Sequence, residues 1–406
     1  MQNRHREIII AFTITQFIVL WIIGYTPYPD SEGYIILAKE CVASGEPYPI
    51  SWKMNELPFI WNVGAINIVA FSLKFFHTIT PVLWIYCIIK GATAWLTYQL
   101  SKKIFNEQIG YITLILYVLY PSNYGEATSL LSELPSLFLA MSGLWLIVCK
   151  EKKLLGGGII ALANWVRPIG IIFLLAACVY KWRAMLNTIA GYLLVVCLIG
   201  GATYMRTGHF IYQAQTGWMA LLQYSVDHTT TTTDDCLPIV EKANVVEKNT
   251  IWRKRFFSWL YDHPIDYFTQ MPRKLVNTYI SDNVNMCAFL SNKNERAYLY
   301  DELSMRQLLR HFPNYTPTQT LTIVNLVYYY AILIMFVVGL FLMTRKKAVT
   351  ALLLPMTIIV ATTAMLLLLG HGEARFHQSI MPFFMMIAAV TIMKIYKRLN
   401  KSISKR

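Results

Sequence analysis

NWVRPIG, residues 164–170, stands at the centre of an otherwise apolar run from 154 to 181. An arginine held at mid-bilayer costs about 3 kcal/mol, and a proline after it removes a backbone hydrogen bond and breaks a straight helix. The run is therefore read as two short arms of roughly 13 residues meeting at Arg167 in an outward turn, although a full span needs about 20. That reading sets the direction of the helices on either side. Basic clusters lie at Lys102-Lys103, at Lys150, Lys152 and Lys153, at Lys181 and Arg183, at Arg345-Lys346-Lys347, and along the tail from Lys394 to Arg406. Cytoplasmic loops are enriched in Lys and Arg. All five clusters face one side only if 154–181 is a hairpin and 58–76 lies on the outer surface without crossing. The rival arrangement, with 58–76 spanning and 154–181 crossing once, strands Lys102-Lys103 and Lys150–Lys153 outside.

Composition agrees with a membrane chain. Of 406 residues, 56% are hydrophobic and only 14% charged, with a mean hydropathy of +0.44, more apolar surface than a soluble core of this length can hide. The net charge of +14 invites a nucleic-acid partner. The basic residues flank apolar segments, however, and that is the pattern of membrane loops, so no nucleic acid is expected. The seven cysteines show no CxxC spacing. Four of them, Cys87, Cys149, Cys178 and Cys197, fall in apolar runs as small hydrophobes, and Cys236 and Cys287 share a polar loop in which they could pair.

The first apolar run, Ile8 to Gly24, follows MQNRHR, exceeds a signal-peptide core in length and is expected to remain as an anchor with its N-terminus inside. Further apolar segments fall at about 58–76, 82–100, 107–121, 131–149, 154–181, 186–204, 321–343, 349–369 and 376–393. The expected fold is an all-α integral membrane protein with about ten transmembrane helices and both termini in the cytoplasm. A membrane module, 1–205, carries a first outer loop at 27–81 and a short second one at 122–132. A large outer loop, 206–320, separates spans 7 and 8, and 321–406 supplies the last helices and a basic tail. Within the large loop, 252–275 interleaves basic and aromatic residues at helical spacing. It reads as an amphipathic helix on the membrane surface, with a second after His263-Pro264.

The polar chemistry gathers outside. YTPYPDSEGY, 25–34, ends the first span on two prolines and an aspartate. Asp30 is placed to cap a helix from Ser31, with Tyr34 one turn beyond it. On the same face, YPSNYGEATSLLSELP, 120–135, brings Glu126 and Glu133. Glu133 opens a span, where an ionisable residue is a functional candidate by default.

Taken in order, Asp30 with Tyr34, the long amphipathic first outer loop, KKIFNEQIGYITLILYVLYPSNYGEATSLLSELP (102–135), NWVRPIG, and GEARFHQSIMPF (372–383) resemble the GT-C membrane glycosyltransferases. The likeness is to bacterial relatives of the protein O-mannosyltransferases and of the aminoarabinose–lipid A transferase, and it covers residues 7 to about 393. It implies a GT-C fold with membrane-parallel helices in the first outer loop. It also implies a sugar donor on a polyprenyl phosphate, an acceptor lipid, glycan or protein, and a bacterial inner membrane with the active site on its periplasmic face. In the family pattern Asp30 matches the first-loop base toward the acceptor, and Glu133 or Glu126 the second acidic position. Two departures stand out: Asp30 is followed by Ser31 and Glu32, giving DxE rather than an adjacent acid pair, and Leu57 stands where a lysine precedes the loop proline, leaving Lys53 as the nearest cation.

The chemistry such a reaction needs is present. A carboxylate must take the proton of the incoming hydroxyl, and cations must hold the departing phosphate. Arg167 and Arg375, at outer ends of helices, suit bidentate phosphate binding. No HExxH, CxxC or histidine cluster argues for a structural metal, while a Mg²⁺ or Mn²⁺ ion at the acids is left open. Two other classes compete. An O-antigen ligase or polymerase also carries a large late outer loop but needs no acidic first loop. A secondary transporter places ionisable residues at mid-bilayer between inverted repeats, and no such repeat is visible.

Overall fold

The computed structural model describes residues 4–48, 62–215, 217–226, 245–291, 300–345, 349–369 and 372–403. Among these residues the regular structure is helical, with no strand. Among the described residues five helices are long and apolar enough to cross a membrane: Arg4–Ile23, Trp182–Thr207, Pro317–Arg345, Thr350–Leu369 and Ala374–Asn400. The pair Ser122–Thr128 and Glu133–Val148, bent by 109°, makes a sixth if it is one span. This is fewer than ten, for a reason of length. The apolar stretches at 58–76, 107–121 and 154–181 yield helices of 14, 12, 14 and 11 residues, below the ~20 that cross a bilayer. Thr80–Ile104 is long enough at 25 residues but carries Lys90 in its interior.

The helices turn apolar side chains outward as well as inward. Trp21, Leu186, Met205 and Val327 are all more than half exposed, which is stable against hydrocarbon and not against water. Because lipid removes the hydrophobic drive between helices, close packing has to come from small residues. The run LLGGGII supplies them. A Cβ on Gly157 would overlap the Thr188 carbonyl, one on Gly191 the Leu154 carbonyl, and one on Gly143 the Ile160 side chain. Lys153–Val166 is thereby locked between Glu133–Val148 and Met185–Thr207.

At Arg167 the helix stops, its backbone passing to φ −153°, ψ 135°. The Ile171 amide then donates to Asn164 Oδ1 at 3.1 Å, and Gly170 lies against the Ile160 carbonyl and the Asn164 backbone. In a continuing helix these groups would be some 10–15 Å apart along the axis, so the chain reverses. The proline after Arg167 explains where.

Two local expectations need correction. The helix after the first apolar run is Pro29–Ser44, with Pro29 at its first position and Tyr28 as its N-cap, so Asp30 sits in the first turn and caps nothing. Ser31 takes the capping work, its Oγ accepting from the Tyr28 amide at 2.8 Å. Proline's fixed φ favours this earlier start. Nor is 122–132 an open loop. Ser122, Thr128, Ser129 and Ser132 are all buried, because neighbouring segments rather than water satisfy their backbone. The Thr26 amide donates to the Thr128 carbonyl at 2.9 Å, and the two threonine hydroxyls pair at 2.9 Å.

In the large loop, Val245–Asp262, Pro264–Thr269 and Met271–Tyr279 follow one another around His263-Pro264. Trp252, Phe256, Trp259 and Tyr267 close over Leu221 and Leu222, while Arg253, Lys254, Phe257 and Tyr261 face outward. Cys287 is buried, its thiol 3.8 Å from the Asn283 carbonyl, and Cys236 lies outside the described residues.

Candidate active site

Four sequence-distant segments converge where Pro29–Ser44 begins. The first turn of that helix presents Asp30, and the start of Glu133–Val148 presents Glu133. The break in the hairpin presents Arg167, and the 3-10 segment Ala374–Ile380 presents Arg375. Arg375 Nη2 lies 2.8 Å from Asp30 Oδ2, and its Nε lies 3.1 Å from Glu373 Oε1 and 3.7 Å from Glu133 Oε1. Arg167 Nη1 lies 3.2 Å from that same Glu133 oxygen and donates to Ser132 Oγ at 2.9 Å. Both guanidinium groups stand over the Phe376 ring, 5.2 and 5.3 Å from its centroid. Tyr34 closes the floor. Asn62 Nδ2 donates to its hydroxyl at 2.7 Å and to Ser132 Oγ at 3.1 Å.

The acids differ in access: the Glu133 side chain is 9% exposed and that of Asp30 29%. Asp30 is thus the more accessible of the two. Burial pushes the Tyr34 phenol up to about 12, with the Asp30 charge adding to it, so Tyr34 stays a neutral donor at ordinary pH. Arg375 Nε and both Glu133 oxygens are buried without a well-formed hydrogen bond. Two guanidinium forks held side by side offer planar donors to a phosphate.

Asp30, Glu133 and Glu373 all face Arg375. Among the described residues no three His, Cys, Asp or Glu side chains are arranged to hold a metal, and no step below passes through one.

Of the sequence candidates, Asp30, Tyr34, Glu133, Arg167 and Arg375 come together. Glu126 instead forms a buried ion pair with Lys90, away from the guanidinium cluster. Glu32 is exposed and borders a surface recess with Trp21 and Pro27. Lys53 lies outside the described residues. Ser132, Asn62, Glu373 and Phe376 were missed. Glu373 and Phe376 flank Arg375 in GEARFHQ and Ser132 precedes Glu133, so adjacency to a nominated charge was the available signal. Asn62 carried none.

The features assembled here define a polytopic membrane protein with an acid–guanidinium site among converging helix ends. No family model and no curated protein matches the sequence. The fold, however, is similar to that of the Archaeoglobus fulgidus oligosaccharyltransferase. Against that protein in complex with Zn and sulfate the TM-score is 0.53 at 10% identity, covering 97% of this chain and 49% of that one. Against its apo form the TM-score is 0.50 at 10% identity, covering 100% and 52%. The chain spans about half the length of these structures. At such identity the likeness is one of fold alone.

Proposed function

We propose that this protein transfers a sugar from a polyprenyl-phosphate donor to a hydroxyl acceptor at the outer face of a bacterial inner membrane. The observation that carries the reading is the convergence of Asp30 and Glu133 with Arg167 and Arg375, on a GT-C-like fold. Asp30 is the base: its carboxylate takes the acceptor proton while the acceptor oxygen bonds to the anomeric carbon. The carbon–oxygen bond to phosphate breaks, and its electron pair leaves on the lipid phosphate, which Arg167 and Arg375 hold. Glu133 orients both guanidinium groups from behind, and Tyr34 and Ser132 fix Arg167 and the floor.

The ion pair between Arg375 and Asp30 ties the two groups together in the resting site, and a donor phosphate competes with that carboxylate for the guanidinium. The ten-span topology with cytoplasmic termini belongs to the same reading, the short helices crossing as packed pairs rather than alone.

The test is transfer of radiolabelled sugar from its polyprenyl phosphate by the purified protein in lipid nanodiscs, using envelope extract as acceptor. Comparison of the glycolipids and glycoproteins of a deletion strain with wild type identifies the product. Labelled material in the acceptor fraction supports transfer. Movement of intact donor across the membrane without transfer would favour a transporter, and full activity in Asp30→Asn a ligase-type enzyme.

A further inference from the structure

Behind the site lies a second polar centre that none of the chemistry above uses. Asp282, between Met271–Tyr279 and the 3-10 segment Val284–Phe289, is 1% exposed. Its Oδ2 accepts from the Tyr120 hydroxyl and from Asn325 Nδ2, the latter at 2.9 Å. Its Oδ1 accepts from Gln378 Nε2 and, at 3.5 Å, from Ser122 Oγ, and faces His377 Nε2 at 3.3 Å. The other imidazole nitrogen lies 2.7 Å from the Thr278 carbonyl, which can only accept, so that nitrogen bears a hydrogen. Asn285 closes the ring, donating to Gln378 Oε1 at 3.0 Å and Ser122 Oγ at 3.3 Å.

Position gives this centre its meaning. Gln378 and His377 belong to the 3-10 segment that carries Arg375 and Phe376. Ser122 opens the buried stretch that ends at Glu133. Tyr28, the N-cap just before Asp30, donates its hydroxyl to the Val284 carbonyl at 2.6 Å. A Cβ on Gly125 would overlap the Asn285 carbonyl, so the two backbones touch. One short stretch of the large loop, 282–285, therefore grips three of the segments that deliver the acid–guanidinium site. A buried carboxylate is costly unless fully hydrogen-bonded, and here donors from Tyr120, Ser122, Asn325 and Gln378 converge on it.

We propose that Asp282 is a positioning residue: acting through Gln378 it holds the 374–380 segment so that Arg375 meets the donor phosphate. The catalytic consequence rests on the glycosyltransferase reading, and the lock itself does not.

Two measurements on the full-length protein in nanodiscs test it. Amide hydrogen exchange of a peptide covering 374–380 reads the lock without any activity. Asp282→Asn should raise exchange there on the order of tenfold, and Tyr120→Phe, which removes one donor and keeps the ring, by a smaller factor. If neither variant changes exchange at 374–380, the proposal is wrong; should Asp282→Asn not fold, Tyr120→Phe decides alone. The second measurement is a double-mutant cycle on transfer. Asp282→Asn should lower kcat/KM for the donor on the order of tenfold in the wild-type background, yet by less than about threefold in Arg375→Ala, because the path through Arg375 is already cut. Equal losses in both backgrounds would reduce Asp282 to a structural residue and overturn the positioning role. Increased exchange in a protein without any transfer activity would leave the lock standing and remove the proposed function instead.

Discussion

Asp30→Asn separates chemistry from stability because the two effects differ in size. Asp30 lies in the first turn of Pro29–Ser44 without capping it, so the change forfeits a favourable charge–dipole interaction of about 0.3–1 kcal/mol. Its ion pair with Arg375 involves a side chain 29% exposed, and such pairs contribute about 0.2–1 kcal/mol. Asparagine keeps an oxygen that accepts from Arg375, so the loss in stability is about 1 kcal/mol. Removal of a general base costs ~10²–10⁴ in rate, or about 3–5 kcal/mol of barrier. The expected outcome is a protein that purifies normally, with turnover reduced a hundredfold or more. Its donor KM should be unchanged or lower, since Arg375 no longer has to leave a carboxylate. The assay is initial-rate transfer from labelled polyprenyl-phosphate sugar at matched folded protein, with donor varied. Turnover above about a third of wild type would sink the base assignment, and a raised donor KM with unchanged kcat would move Asp30 into donor binding.

Other outcomes are expected from the same geometry. Arg167→Lys keeps the charge but cannot serve Glu133, Ser132 and the Phe376 ring together, so donor KM should rise severalfold with expression intact, and normal kinetics would make Arg167 a turn residue only. Thr78 and Lys103, exposed near opposite ends of Thr80–Ile104, should differ when replaced by cysteine. Thr78→Cys should label with an impermeant thiol reagent in intact cells and Lys103→Cys should not, and the reverse pattern would invert the topology. Burial lowers the pKa of Lys274, whose Nζ has no hydrogen-bond partner. The unfolded chain then binds more protons between the lowered value and the ordinary lysine range, so stability should rise with pH through that window. Lys274→Met should raise the thermal midpoint and flatten this slope, and an unchanged slope would show that Lys274 is not its source.

The sequence disclosed the fold wherever one physical cost dominated. An arginine followed by proline inside an apolar run has few stable solutions, and the reversal at Arg167 is one of them. The number of spans is less legible, since hydropathy scores a stretch as apolar whether its helix has 11 residues or 29, and helix length depends on where turns and partners intervene. Asp30 and Glu133 were legible because acids beside membrane segments are expensive and so stand out. The cap at Asp30 was misplaced because Pro29 and Ser31 both start the helix better.

Asp282 shows what pattern reading cannot reach. In YISDNVNMCAF it is an acid among small polar residues, which is how an ordinary solvated turn looks. Its burial depends on Tyr120, Asn325 and Gln378, between 43 and 162 residues away, and none of these is unusual in its own neighbourhood. Cost is again the clue, but it lies in the assembled environment: a carboxylate with almost no exposure persists only where donors from several segments converge on it. Arg375, by contrast, announces itself within GEARFHQ by its charge. Two residues further on, the His377 ring is fully buried between Tyr279 and Tyr329. A side chain so enclosed has no route to a substrate. The motif therefore divides between two tasks, with Arg375 and Phe376 facing the site and His377 and Gln378 facing the carboxylate behind it.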